Sequence, residues 1–257
     1  NEPNHPRFWP SGPDANAYVP MLRAGYTAAK AASPDATVLL GGLSKSDFAY
    51  LEAVYRAGGG DYFDAVAVQP YTYGVDPTDS WNGVHDWEDP NRISSNAFPA
   101  IQEVRRSMVA FGDEEKDVWL TEFGYSTTTR DGGVSATTQA AFLVKAYSYI
   151  ERFSWVKTLF WYSARNSPFY GDRDEYEARF GLATTAAASL DWSGSAKTGT
   201  LAIAPRTDDY SEIPGFDCDK VEARTPEQIA HADRSRVIKN AAFETFHPGA
   251  GASRGFI

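Results

Sequence analysis

Hydrophobic and polar positions follow two alternating periodicities along the first 162 residues of the chain. Short runs rich in β-branched and aromatic residues predict strands at 37–40, 64–69, 117–121 and 156–161. Longer segments with apolar residues three or four apart predict amphipathic helices at 16–33, 47–57, 98–111 and 135–151. Because strands that alternate with helices of this length form βαβ units, the pattern predicts an α/β fold with a parallel sheet.

The strand series is shorter than a complete α/β barrel requires. The chain begins Asn1-Glu2-Pro3-Asn4, and because a residue before proline prefers an extended conformation, we expect Glu2 to follow a further strand. That strand and the four within the chain make five βα-type units. An eight-stranded barrel has eight such units in about 250 residues.

Two glutamates are expected at strand ends. The run Trp119-Leu120-Thr121-Glu122-Phe123-Gly124-Tyr125 ends a β-prone stretch, so Glu122 is predicted at the strand tip, as Glu2 is at its own. The carboxyl ends of parallel strands meet at one edge of a sheet, where two facing carboxylates can hydrolyse a glycosidic bond.

Composition narrows the range of partners. The net charge of -10 argues against nucleic acids and anionic membranes, which require clustered lysine and arginine. No apolar run reaches the roughly 18 residues of a membrane span. The four histidines and the single cysteine, Cys218, do not show zinc-ligand spacing. We therefore expect no metal and no cofactor.

Several short motifs resemble the ends of strands four to eight in clan A glycoside hydrolases, most closely the β-xylosidase-like family 39 type and its cellulase-like relatives. They are Asn1-Glu2-Pro3-Asn4 with Phe8-Trp9, Gly41-Gly42, Gln69-Pro70-Tyr71, Thr121-Glu122-Phe123-Gly124, Phe160-Trp161-Tyr162 and Phe180-Gly181-Leu182. The resemblance implies a (β/α)8 TIM barrel, present here as a partial barrel that lacks the first three βα units. It covers residues 1 to about 182.

The resemblance also implies a mechanism and its residues. Glu2 corresponds to the general acid/base and Glu122 to the nucleophile of a retaining, double-displacement glycosidase. Asn1 resembles the asparagine that hydrogen-bonds the sugar 2-hydroxyl, and Tyr71 resembles the tyrosine that orients the nucleophile. Trp161 resembles the tryptophan that floors the sugar subsite.

Two further candidates for substrate binding depart from the family or have a second explanation. Gln69 stands where the family usually has histidine; an amide can still hydrogen-bond a hydroxyl but cannot carry a proton. Trp9 either contacts sugar or packs as cover over the core.

The chain divides into a catalytic part, 1–182, and a C-terminal extension, 183–257, with an irregular sequence and a predicted helix at 225–244. The expected partner is an oligo- or polysaccharide, and the expected location is extracellular, although the chain contains no signal region. No pattern indicates an oligomeric state. A second interpretation stays open: a noncatalytic carbohydrate-binding or structural remnant of a truncated glycosidase barrel.

Overall fold

The computed structural model describes residues 1–79, 91–167, 169 and 173–183. The helices are α1 (Ala15–Ala32), α2 (Phe48–Arg56), α3 (Ile101–Ala110) and α4 (Ala136–Ile150). The strands are β1 (Leu43–Ser44), β2 (Ala65–Gln69), β3 (Asp117–Phe123) and β4 (Val156–Trp161). Short 3-10 helices lie at Gly60–Tyr62, Phe98–Ala100 and Tyr176–Ala178. Apart from Ala183, the predicted C-terminal extension, including its helix at 225–244, lies outside the described residues.

The four strands form one sheet in the order β1-β2-β3-β4, and every neighbouring pair is parallel. The chain passes through α2, α3 and α4 between successive strands. These are the βαβ units that the hydrophobic pattern predicts, so the α/β fold with a parallel sheet is confirmed. Consecutive parallel strands end at the same edge of the sheet, and the ends of β2, β3 and β4 are Gln69, Phe123 and Trp161.

The predicted strand at 37–40 is wrong in its bounds. Only an isolated bridge, Leu39 to Ala65, forms there, and the regular ladder begins later with Leu43 opposite Val68. The chain advances by four residues from Leu39 to Leu43, whereas the paired strand advances by three residues from Ala65 to Val68. The extra residue falls at Gly41-Gly42 and interrupts the ladder as a bulge does, which explains why the strand appears after the glycines instead of before them.

Other boundaries follow local chemistry. The Asp14 side chain caps α1 by accepting from the Asn16 N–H at 2.8 Å, and Asp47 caps α2 by accepting from the Tyr50 N–H at 2.9 Å. The first turn of the predicted helix at 98–111 is instead a 3-10 turn that contains Pro99. β3 continues to Phe123, two residues beyond its predicted end.

The described residues of 1–123, together with 145–161, form one compact unit that contains the four-stranded sheet. All five residues of β2 are buried, as expected for a parallel strand that is covered on both faces. On β3, Val118 and Leu120 are fully buried while Trp119 between them is half-buried. The Phe98 ring lies 4.5 Å from the Phe123 ring, so an aromatic contact covers the end of β3.

A buried ion-pair network stabilises the same unit. Glu103, only 1% exposed, accepts from Arg92 Nε at 3.1 Å and from Arg106 Nη1 at 2.8 Å. Arg92 also donates to Glu52 at 2.6 Å, and its guanidinium carbon lies 3.7 Å from the centre of the Phe48 ring. The network therefore compensates a carboxylate that burial alone would strongly disfavour.

The second compact unit comprises 124–144 and the described residues from 162 to 183. Among its described residues, the buried Gln139 amide donates to the carbonyls of Tyr125 and Phe180 at 2.6 and 3.2 Å. A parallel bridge joins Arg165 to Ala183. In the described parts of both units, no helix has the length and apolar character needed to cross a membrane.

Candidate active site

Gln69 connects three parts of the chain at the carboxyl edge of the sheet. It ends β2 and is only 3% exposed. Its side-chain nitrogen Nε2 donates to Asn1 Oδ1 at 2.9 Å and to Glu122 Oε1 at 3.0 Å. One amide group thus joins the amino-terminal segment, β2 and β3.

The Glu122 carboxylate is held through both of its oxygens. Gln69 donates to Oε1, and the Tyr71 hydroxyl donates to Oε2 at 3.1 Å. Glu122 itself is half-buried and lies within β3, one residue before the strand ends. Two donors on opposite oxygens fix the plane of the carboxylate.

Gly42 lies between the amino-terminal segment and Gln69. Its carbonyl accepts the backbone N–H of Glu2 at 3.0 Å. A methyl group on Gly42 would lie 2.8 Å from Thr121 Oγ1 and 2.9 Å from Gln69 Nε2. The site therefore requires glycine here. The sequence shows the Gly41-Gly42 pair, but it does not show which residues these glycines contact.

The structure overturns the extended conformation expected for Glu2. Glu2 has a φ of 37°, in the left-handed region, and its carbonyl accepts the His5 N–H at 2.9 Å in a tight turn. The Asn4 side chain fixes this turn against β1, since it donates to the Ser44 carbonyl at 3.0 Å and accepts from the Ser44 N–H at 2.8 Å. The turn and its anchor outweigh the preference that Pro3 imposes on the residue before it.

The two predicted tryptophans lie in different surroundings. Trp161, at the end of β4, stands perpendicular to the Phe123 ring at 6.0 Å and so lies beside the end of β3. Trp9 packs edge-on against Tyr18 of α1 at 6.2 Å. The Tyr18 hydroxyl accepts the Gly41 N–H at 3.0 Å, and burial raises the pKa of this tyrosine. Trp9 thus covers the helix that supports the glycine pair.

Of the seven residues predicted for the site, the hydrogen bonds join four directly: Asn1, Gln69, Tyr71 and Glu122. Glu2 is half-buried and directly follows Asn1 in the chain. Gln69 Oε1 and Thr121 Oγ1 are buried without a hydrogen-bond partner in the described part of the chain. Thr121 is thus a polar residue of the site that the sequence indicated only as part of the Thr121-Glu122-Phe123-Gly124 motif. The described residues include no cluster of histidine, cysteine and carboxylate side chains suited to a metal ion.

Comparisons with known proteins show which families this chain resembles. A family model described as "Glycosyl hydrolase catalytic core" matches residues 95–178. A search of curated proteins gave no significant match.

Solved structures of glycosidases share the fold, and two of them are described as family 39 enzymes. A family 39 glycoside hydrolase from Bacteroides cellulosilyticus is 26% identical over 79% of this chain and 38% of its own, with a TM-score of 0.57. A family 39 enzyme from Xanthomonas axonopodis pv. citri is 19% identical over 79% of this chain and 38% of its own, with a TM-score of 0.53. A monomeric β-xylosidase from Caulobacter crescentus is 20% identical over 79% of this chain and 39% of its own, with a TM-score of 0.51.

The chain spans 38% to 39% of the length of these three proteins. The family model and the Bacteroides structure confirm the resemblance expected from the sequence. The chain is therefore similar to clan A glycoside hydrolases of the family 39 type.

Proposed function

We propose that this chain carries the catalytic strand ends of a retaining β-glycosidase, with Glu122 as nucleophile and Glu2 as general acid/base. The observation that supports this most directly is the double anchoring of the Glu122 carboxylate by Gln69 and Tyr71. A nucleophilic carboxylate must be ionised and held in one orientation before the sugar arrives. The donors on both of its oxygens hold the Glu122 carboxylate in one orientation.

The reaction follows in two displacements. Glu122 attacks the anomeric carbon, the glycosidic bond breaks, and the departing oxygen takes a proton from Glu2. Glu2, now a carboxylate, removes a proton from water, whose oxygen bonds to the anomeric carbon and releases Glu122. In this scheme Asn1 donates to the sugar 2-hydroxyl, and the Trp161 ring supports the apolar face of the sugar.

In this proposal the four parallel strands correspond to strands five to eight of a TIM barrel, and the turn that contains Glu2 follows strand four. The order β1-β2-β3-β4 and the position of Glu122 near a strand end support the correspondence. Catalytic groups of such barrels come from the carboxyl ends of several strands. The substrate is accordingly an oligo- or polysaccharide with β-linkages. The similarity to a β-xylosidase makes β-xylosides the first substrates to test.

The test combines substrate screening with matched carboxylate variants. The chain is assayed on 4-nitrophenyl β-xyloside, β-glucoside and β-mannoside. Glu2→Gln and Glu122→Gln should each lower turnover by several orders of magnitude. Glu115→Gln is the control, because Glu115 is an exposed carboxylate shortly before β3, and it should keep the parent rate.

A second measurement identifies the nucleophile. Added azide should restore turnover to Glu122→Ala and give a glycosyl azide of inverted anomeric configuration. Unchanged turnover in Glu2→Gln or Glu122→Gln contradicts the assignment. Sugar binding without hydrolysis of any glycoside would instead favour the noncatalytic carbohydrate-binding alternative.

A further inference from the structure

We infer that Gln69 is a positioning residue that couples Glu122 to Asn1, and that it does not contact the sugar. This inference rests on the proposed glycosidase function. It differs from the substrate-binding role expected from the sequence. The decisive observation is that one nitrogen, Nε2, donates to both side chains, at 3.0 Å and 2.9 Å.

The donor pattern fixes the orientation of both amides. An ionised carboxylate only accepts hydrogen bonds, so Gln69 must turn its NH₂ group and not its oxygen toward Glu122. The same NH₂ group faces Asn1, which must therefore present its oxygen Oδ1. Asn1 is exposed, and its NH₂ group is the part of the amide turned away from Gln69. The bridge thus makes Asn1 a hydrogen-bond donor toward the substrate side.

The surroundings of Gln69 prevent it from adopting another arrangement. The residue is 3% exposed. Gly42 packs so closely against this amide that a methyl group added to Gly42 would lie 2.9 Å from Nε2 and 3.3 Å from the Gln69 Cδ atom. Rotation of the amide would place its oxygen against two acceptors and would break both hydrogen bonds. The bridge is therefore present before substrate binds, which lowers the cost of orienting the reacting groups.

An amide nitrogen is suited to this role in a way that histidine is not. One amide nitrogen carries two hydrogens, whereas each imidazole nitrogen carries at most one. A histidine at position 69 could therefore donate from one atom to Glu122 or to Asn1, but not to both. Glutamine at this position is the feature that links the nucleophile to the residue proposed to hold the sugar 2-hydroxyl.

The coupling predicts a measurable dependence between Gln69 and the substrate 2-hydroxyl. The test substrate is whichever of the three 4-nitrophenyl glycosides the parent cleaves best, and it is compared with its 2-deoxy counterpart. In Gln69→Met, kcat/KM should fall on both substrates because Glu122 loses a donor. The preference for the 2-hydroxyl should also fall, by about 2- to 12-fold, the equivalent of one hydrogen bond of roughly 0.5–1.5 kcal/mol.

Two further variants separate positioning from packing. Gln102→Met is the matched control, because Gln102 is a glutamine of α3 whose amide donates to the Tyr149 hydroxyl at 2.8 Å; both the rate and the preference should stay at parent values. Gln69→His should restore part of the rate on the 2-deoxy substrate but not the full preference for the 2-hydroxyl. If Gln69→Met loses rate while the preference stays unchanged, Gln69 only supports packing and the inference is overturned.

A readout that does not require turnover tests the bridge itself. In side-chain amide NMR spectra, both Nε2 hydrogens of Gln69 should exchange slowly with solvent, and Asn1→Ala should accelerate the exchange of one of them. Rapid exchange of either hydrogen in the parent contradicts the bridge. If the chain cleaves no glycoside, the proposed function and the positioning role fail together, while the exchange rates still decide whether the bridge exists.

Discussion

Gly42→Ala should damage both stability and the proposed activity through a steric effect that the structure defines. The added methyl group would lie 2.8 Å from Thr121 Oγ1 and 2.9 Å from Gln69 Nε2, closer than these atoms can approach. Strain of this kind in a packed site costs about 1–3 kcal/mol. The displaced Gln69 amide would also lose its geometry toward Glu122, so kcat/KM should fall at least about tenfold, since one disturbed charge-assisted hydrogen bond costs about 1.5–3 kcal/mol.

Gly25→Ala provides the matched control. Gly25 lies inside α1, and an added methyl group there meets nothing within 4 Å. Alanine is favoured over glycine in a helix by about 1 kcal/mol. A difference of 1 kcal/mol shifts the Tm of a domain of this size class by about 2–4 °C. The two substitutions should therefore move the Tm in opposite directions, upward for Gly25→Ala and by about 2–12 °C downward for Gly42→Ala.

Thermal unfolding followed by circular dichroism and kcat/KM on the best aryl β-glycoside check both effects. The steric argument is refuted if Gly42→Ala keeps the Tm and the kcat/KM of the parent. A lower Tm with unchanged kcat/KM would show that Gly42 supports packing but does not position Gln69.

Three further predictions concern the carboxylates. Tyr71→Phe removes one charge-assisted hydrogen bond from Glu122 and should lower kcat/KM by about 10- to 150-fold; a loss of less than threefold contradicts its orienting role. Arg92→Met should lower the free energy of unfolding in urea by about 3–5 kcal/mol, because it leaves the buried Glu103 without its buried partner. Arg106 pairs with the same Glu103 carboxylate but is 62% exposed, so Arg106→Met should cost under about 1 kcal/mol. Equal losses would refute this distinction. Burial alone raises the pKa of Glu52, but hydrogen bonds from Arg92 and Ser107 lower it overall. The stability that Glu52 contributes is therefore complete above its unfolded pKa and is lost as pH falls through the lower folded pKa. In urea unfolding measured across this pH range, Glu52→Gln should lack this part of the pH dependence of the free energy of unfolding.

Hydrophobic periodicity predicted the helices and the sheet well because each has a local cause. The apolar residues of 16–33 repeat at helical spacing, and the structure places α1 at Ala15–Ala32. The bounds predicted for the first strand were wrong because its ladder is interrupted at Gly41-Gly42, where Gly42 packs closely against Gln69 and Thr121. Those residues are distant in the chain, and no local pattern records them.

The sequence likewise predicted the residues of the candidate site but not all of their contacts. The motifs around Asn1, Gln69, Tyr71 and Glu122 predicted residues that the structure links by hydrogen bonds. The sequence could not show that Gln69 serves two acceptors at once, because a residue type does not specify the partners of its amide. It also failed to predict the conformation of Glu2, since the tight turn is fixed by the side chain of Asn4 against β1.

The Gln69 bridge has a consequence for how the chain acquires its native state. Its two hydrogen bonds span 68 and 53 residues of sequence, so they can form only after β2 and β3 have paired and the amino-terminal turn has docked. Contacts of such long range are slow to form because loop closure must precede them. During refolding from denaturant, recovery of hydrolysis should accordingly lag behind recovery of the helical signal.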